Sequence, residues 1–234
     1  MKTVHVVQHT SAEYLGLIED HLEGRGIRFQ YHRPFTAGGG LPKAVTVTDG
    51  LVLLGGGPWG SAGTRDLPTL AAEVLLVREC LVRGIPLIGI GLGAQIIALG
   101  AGGTSEPAPL HLRVGTAIRC ADQALDGYLP ACYPLAVYQC DGAAPPPGAV
   151  VLARDDGARP CLWQFGTRAL GFAGHPGLKV AMVEDLVMEF EDSPIGVAEG
   201  LGRLRDVQRG LEDSLVPIMT GVTRLMGWMD GPAL

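Results

Sequence analysis

Pro86-Leu87-Ile88-Gly89-Ile90-Gly91-Leu92-Gly93-Ala94-Gln95 decides the fold of this 234-residue chain. Ile85, Leu87, Ile88 and Ile90 make an apolar run of the kind that forms a buried strand. The run breaks at small residues, and an apolar segment from Leu92 to Leu99 then reads as a helix. A strand-to-helix turn of the form Gly-x-X-x-Gly holds its central residue, when that is Ser or Cys, exposed above the sheet on a strained backbone. Gly89 and Gly93 supply the flanks, but the central residue is Gly91, which has no side chain to attack with.

Upstream of the turn, strand and helix patterns alternate. Thr3 to Val7 reads as a strand, Ala12 to Glu23 as a one-sided helix, and Ile27 to His32 as a second strand. Leu51 to Leu54 is a further buried strand running into Gly55-Gly56-Gly57-Pro58, and Leu67 to Arg83 is an amphipathic helix. Short connections between such elements make βαβ units, hence a parallel sheet with helices on both faces. After about residue 104 the pattern turns to short strands: 110–118, 135–139, 150–153, 161–165 and 169–172. Leu178 to Phe190 returns to helix, and Pro194 to Met229 reads as two helices broken near Pro217. The expected organisation is one domain over residues 1–192 and a helical C-terminal extension over 193–234, packed on that domain or on a partner.

Bulk composition excludes several classes. Hydrophobic residues make up 47% and charged residues 18%, which rules out a disordered chain. A net charge of -6 without a basic tract argues against nucleic acid as a partner. No apolar stretch reaches membrane-spanning length, and no cationic leader precedes the first strand, so neither a membrane nor a secretory route is expected. Five cysteines without close pairing suit a reducing cytoplasm. The histidines show no metal-ligand spacing, and Gly55-Gly56-Gly57 lacks the Lys-Ser/Thr of a phosphate loop. No metal and no cofactor is expected.

Four segments in order carry a resemblance: Asp49 to Pro58, Gly84 to Gln95, Ala136 to Gly142 followed by Pro147-Gly148-Ala149, and Leu170 to Gly177. Together they resemble a class I glutamine amidotransferase domain, in the branch similar to the glutaminase half of GMP synthase. The resemblance spans roughly residues 1 to 190. It implies an α/β fold with a flavodoxin-like parallel central sheet, flanking helices and small added β elements. In that family a Cys attacks the amide carbon of glutamine, a His takes its proton, a Glu orients the His, and backbone amides hold the oxyanion.

Position by position, His175 takes the place of the catalytic His. Gly91 stands where the Cys is expected and Gly177 where the Glu is expected. The resemblance makes Gly57 and Leu92 the oxyanion donors and places Gln95 against substrate. It also sets Gly56, Gly91, Gln139 and Cys140 around the pocket, although the Trp and His expected near Gln139 and Cys140 are missing. Ala173-Gly174 replaces the usual Gln-Phe. Loss of a triad nucleophile costs on the order of a million-fold in rate. Cys140 reads either as a replacement nucleophile or as a small buried residue.

Two functions follow. One is a non-hydrolytic binding, scaffold or partner subunit that takes a small amide or carboxylate and works beside a synthetase or other biosynthetic protein, with a homodimer as another use of the apolar tail. The other is a repurposed enzyme with His175 as acid/base and the Gly57 loop as oxyanion site.

Overall fold

Strands that are apolar at every position need both faces covered, and that requirement organises the N-terminal half. The computed structural model describes residues 1–63, 65–190, 193–194 and 196–229. Four strands and three helices alternate first: β1 (Thr3–Val7), α1 (Ile18–Glu23), β2 (Arg28–His32), β3 (Leu51–Leu53), α2 (Leu70–Val82), β4 (Leu87–Ile90) and α3 (Leu92–Gly100). Val4, Val6, Val52, Ile88 and Ile90 point to one face, where Leu15, Ile18 and Leu22 pack. Leu51, Leu53 and Leu87 point to the other, against Leu76 and Val77 of α2 and Ile96 and Ile97 of α3.

The second half supplies β5 (Thr104–Glu106), β6 (His111–Arg119), β7 (Cys132–Gln139), β8 (Gly142–Ala144), β9 (Val150–Asp155), β10 (Pro160–Phe165) and β11 (Ala169–Phe172). Two helices follow, α4 (Val180–Glu189) and α5 (Val197–Leu225). The main sheet has the order β2-β1-β3-β4-β11-β10-β9-β6-β7. From β2 to β11 neighbours are parallel, and from β11 outward they are antiparallel. The β-rich second half therefore extends the same sheet, and only β5 and β8 form a separate two-stranded piece. The architecture is the expected α/β one, with a mostly parallel centre, flanking helices and a C-terminal helix.

Two local expectations are corrected. The helix expected over Ala12 to Glu23 is only α1, because residues 8–17 are tied into a loop: Gln8 Nε2 donates to the carbonyls of Thr10 and Ser11, and the Glu13 N–H donates to Thr10 Oγ1. The break expected near Pro217 is absent, and α5 runs through it. Pro217 removes one N–H, but the carbonyl it would have bonded belongs to exposed Asp213. Meanwhile Leu211, Leu215, Ile218, Met219 and Val222 are buried on either side of it. Packing outweighs one missing hydrogen bond.

The apolar face of α5 is covered by this chain. Leu204 and Leu211 pack with Tyr138, Met182 and Leu186, and Leu215, Ile218 and Val222 join the core on the α1 side of the sheet. Trp228 closes the end by donating from Nε1 to the Asp49 carbonyl at 2.7 Å. The expected boundary at 192/193 falls at Asp192, which lies outside the described residues, as do residues 230–234. Among the described residues no helix is long and apolar enough to cross a membrane.

Replacing Leu215, fully buried under α5, with Ala is expected to lower the unfolding free energy by about 2–5 kcal/mol. Val216→Ala, on the exposed side, is expected to change it by less than about 0.5 kcal/mol. Equal urea-denaturation midpoints for the two variants would contradict this packing.

Candidate functional site

The sheet ends in the turn that opened the sequence. Gly91 N–H still donates to the Phe172 carbonyl at 2.8 Å, and Gly91 then adopts φ 56° and ψ −115° as α3 begins. A residue with a side chain is strained there by about 1–3 kcal/mol, whereas glycine enters that region readily. Space is not the obstacle: a Cβ on Gly91 would lie 3.6 Å from both Gln139 Oε1 and Gly55 Cα. Gly91 borders a cavity of about 360 Å³. Its lining runs from Gly91, Ala94, Ala173 and buried Trp163, past Gln139, to Arg113, His111 and Arg159. None of the described residues lining it is Ser, Thr, Cys or Lys.

Behind the turn, the Gly55–Pro58 loop is held by buried charge. Gly57 N–H donates to Glu13 Oε2 at 2.5 Å. Burial pushes the Glu13 carboxyl up to about 7, against the opposing pull of that N–H and of His9. His9 Nε2 lies 2.9 Å from Glu73 Oε2, and its Nδ1 faces the carbonyls of Leu54 and Gly55 at 3.1 and 3.0 Å. Both ring nitrogens thus meet only acceptors, which favours the imidazolium. Burial alone would lower the His9 pKa, but the charge and hydrogen bond of Glu73 outweigh it and raise it. Thr69 Oγ1 completes the Glu73 carboxylate at 2.6 Å.

His175 faces elsewhere. Its Nε2 donates to the Tyr14 carbonyl at 2.8 Å and its Nδ1 accepts from Gly177 N–H at 3.1 Å, which fixes one neutral tautomer. Burial pulls the ring down to about 4. It does not line the cavity over Gly91. Two residues on, a Cβ on Gly177 would fall 2.9 Å from Ile18 N, and Leu17 N–H donates to the Gly177 carbonyl at 3.0 Å. The segment before α1 fills the place where a longer side chain at 177 would go.

Gln95 is fully buried and braces the cavity wall: its Oε1 accepts from Ser61 Oγ at 2.6 Å and its Nε2 donates to the Cys140 carbonyl at 2.8 Å. Asp141 does the same with backbone groups at φ 59°. Its Oδ2 accepts from Ser61 N–H and Ala62 N–H at 2.9 and 3.0 Å, and its Oδ1 from Ala108 N–H at 3.0 Å. Cys140 is buried, with Sγ donating to the Ala108 carbonyl at 3.2 Å, and burial raises its thiol pKa. Of the positions singled out in the sequence, Gly91, Gln139 and Ala173 line the cavity. Gly56, Gly57, Leu92, Gln95, Cys140 and His175 stand behind it or away from it. Gly56 backs onto the Leu92 side chain. Sequence reasoning missed Glu13, Arg113, Arg159 and Trp163. Only the His111/Arg113 pair carried a signal, as alternate residues sharing one face of a strand.

No protein-family model and no curated protein matches the chain. Solved structures do. A glutamine amidotransferase from Thermotoga maritima superposes with a TM-score of 0.81 at 20% identity, covering 96% of this chain and 98% of that one. A glutamine amido transferase from Methylobacillus flagellatus gives 0.80 at 22% identity, covering 100% and 98%. A chain in the structure of PurLQS from Thermotoga maritima gives 0.55 at 16% identity, covering 89% and 98%. The chain has the class I glutamine amidotransferase-like fold.

Two outcomes test the site's electrostatics. The folded-state pKa of Glu13 lies above its ordinary 4.5, so its contribution to stability is complete below that pH and is lost as pH rises through about 7. Glu13→Gln keeps an acceptor for Gly57 N–H and is expected to remove that part of the pH dependence of Tm. Parallel Tm–pH curves for the two proteins would refute the assignment. For His175, side-chain nitrogen NMR is expected to report the neutral Nε2–H tautomer at about pH 5.5, with protonation only toward about 4. A His175 titration midpoint near 6.5 would contradict the geometry.

Proposed function

We propose that this chain is a non-hydrolytic member of the glutamine amidotransferase-like fold that binds a small molecule in the cavity over Gly91 and serves a biosynthetic partner. One observation carries the reading. The turn that would present a nucleophile borders a cavity of about 360 Å³, yet it bears glycine, and none of the described lining residues is Ser, Thr, Cys or Lys. The surroundings point the same way. Both His175 nitrogens are bonded to backbone groups, Gly57 N–H is held by Glu13, and the position two residues after His175 has no room for an orienting acid. The same three facts weigh against a repurposed enzyme using His175 as acid/base and the Gly57 loop as oxyanion site.

A subunit role is supported by the resemblance to glutaminase domains, which deliver ammonia to a partner, and by the likeness to a chain of PurLQS. The partner meets surfaces other than the apolar face of α5, which this chain itself covers. The outer face of α5 carries ion pairs such as Arg203–Glu199 and Arg205–Glu184 at 2.7 and 2.5 Å. Free cysteines, two of them exposed, suit the reducing cytoplasm.

The test is ammonia release from glutamine by the natural chain and by Gly91→Cys. Both are expected to stay at the uncatalysed level, because a thiol at 91 gains no oriented base. Gly91→Cys is expected to lose about 1–3 kcal/mol of stability through its positive φ. Turnover of glutamine by either protein would sink the reading.

A further inference from the structure

The charged end of the cavity is arranged around one buried carboxylate. Asp155, at the end of β9, has no exposed side-chain surface. Its Oδ1 accepts from the N–H groups of Gly157 and Arg159, both at 2.9 Å. Its Oδ2 accepts from Arg159 Nε at 2.9 Å and lies 2.6 Å from Arg113 Nη1. One carboxylate thus positions two guanidiniums and neutralises the charge of one. Asp156, more exposed, is 3.7 Å from Arg113 Nη1 and adds a weaker, solvent-screened interaction.

Arg113 is the residue left incomplete. Its Nε and Nη1 are buried and neither has a hydrogen-bond partner among the described residues, Nη1 meeting Asp155 as an ion pair only, although Arg113 lines the cavity. An unmet buried donor costs about 1–3 kcal/mol, and more when the group is charged. Two acids also line the cavity: both Asp141 oxygens are taken by backbone N–H groups, and Glu106, at the end of β5, is exposed to solvent. His111, two residues along β6, donates from Nδ1 to the Pro109 carbonyl at 3.1 Å. Burial, with help from Arg113 and Arg159 and against the Pro109 carbonyl, keeps it below its ordinary pKa. The fixed positive charge at this end therefore comes from the two arginines.

Resting on the reading of this cavity as a ligand site, we propose that its ligand is a small carboxylic acid, held through its carboxylate by Arg113 with Arg159, its body lying along Trp163 toward Gly91. A carboxylate is favoured over an amide because it brings a full opposite charge and two acceptor oxygens to the guanidinium, where an amide offers one neutral carbonyl. The volume of about 360 Å³ sits at the small end of organic-ligand sites, which selects a compact acid.

The test is calorimetry on the full chain with two matched pairs, glutarate against glutaramide and benzoate against benzamide, and with inorganic phosphate. At least one acid is expected to bind, with its amide about 10-fold weaker or more. Arg113→Met is expected to weaken the acid by about 10- to 100-fold, the size of one charge-assisted hydrogen bond. Arg159→Met, at a largely exposed side chain, gives the same direction should Arg113→Met fail to fold. Ala173→Leu, which narrows the cavity without altering charge, is expected to weaken the acid as well.

Amides binding as tightly as acids, or acids indifferent to both arginine variants, would overturn the proposal while leaving the cavity a ligand site. Phosphate binding alone, unaffected by Ala173→Leu, would reduce it to a bare anion site and also overturn it. No binding by either acid at about 10 mM overturns it whether or not glutamine is hydrolysed. Ammonia release from glutamine overturns the functional reading and leaves the carboxylate result to stand.

Discussion

Helix α3 leaves the sheet at Gly91 and runs back so close to β3 and β4 that Gly93 has no room for a side chain. A Cβ there would meet the Leu53 carbonyl at 2.0 Å, and one on Gly89 would meet the Gly93 carbonyl at 2.4 Å. That approach forces the chain to reverse within one residue at positive φ, and it sets the C-terminal edge of the parallel strands as the place where loops converge. The loop after β3, the strand β11 and the wall braced by Gln95 all take their positions from it. Ligand sites of open α/β sheets sit at this edge for the same topological reason.

Buried charge then hardens the edge. Glu13, the His9–Glu73 pair and Asp141 all lie inside the protein, where an unpaired charge is costly. Each is satisfied mainly by backbone groups or by its opposite partner, so each fixes a loop that has no regular secondary structure to fix it. The arrangement binds the Gly57 loop to the segment after β1, and it binds Ser61 and Ala62 to the β7–β8 turn. A loop held this way cannot relax freely toward a ligand, and what the cavity offers is decided by the groups left over. Those are few: an apolar end at Gly91 and Trp163, the exposed Glu106, and a guanidinium whose Nε and Nη1 have no hydrogen-bond partner among the described residues.

Much of the fold was legible because strand burial and helix periodicity are local signals. Leu51 to Leu54 and Leu87 to Ile90 are apolar at nearly every position, and two covered faces follow from that alone. Gly91 was legible too, since a glycine at the centre of a strand-to-helix turn states its own missing side chain. The helix expected from Ala12 was not correct, because the periodicity of Tyr14, Leu15, Ile18 and Leu22 does not register that Thr10 Oγ1 takes the Glu13 N–H or that Gln8 and Glu13 have polar partners on other segments. Pro217 misled in the opposite direction, since helix propensity takes no account of the buried apolar residues on either side of it.

The sequence by itself determined the alternating α/β framework, the glycine turn and the absence of a nucleophile at Gly91, since these depend on residue type and on spacing within one segment. Only the tertiary structure decided where His175 points, what holds Gly57 N–H and what lines the cavity. His175 is paired with a carbonyl 161 positions away, Gly57 with a carboxylate 44 away, and Arg113 of β6 meets Asp155 at the end of β9. Such contacts are set by the packing of distant segments, and no local pattern of residues records them.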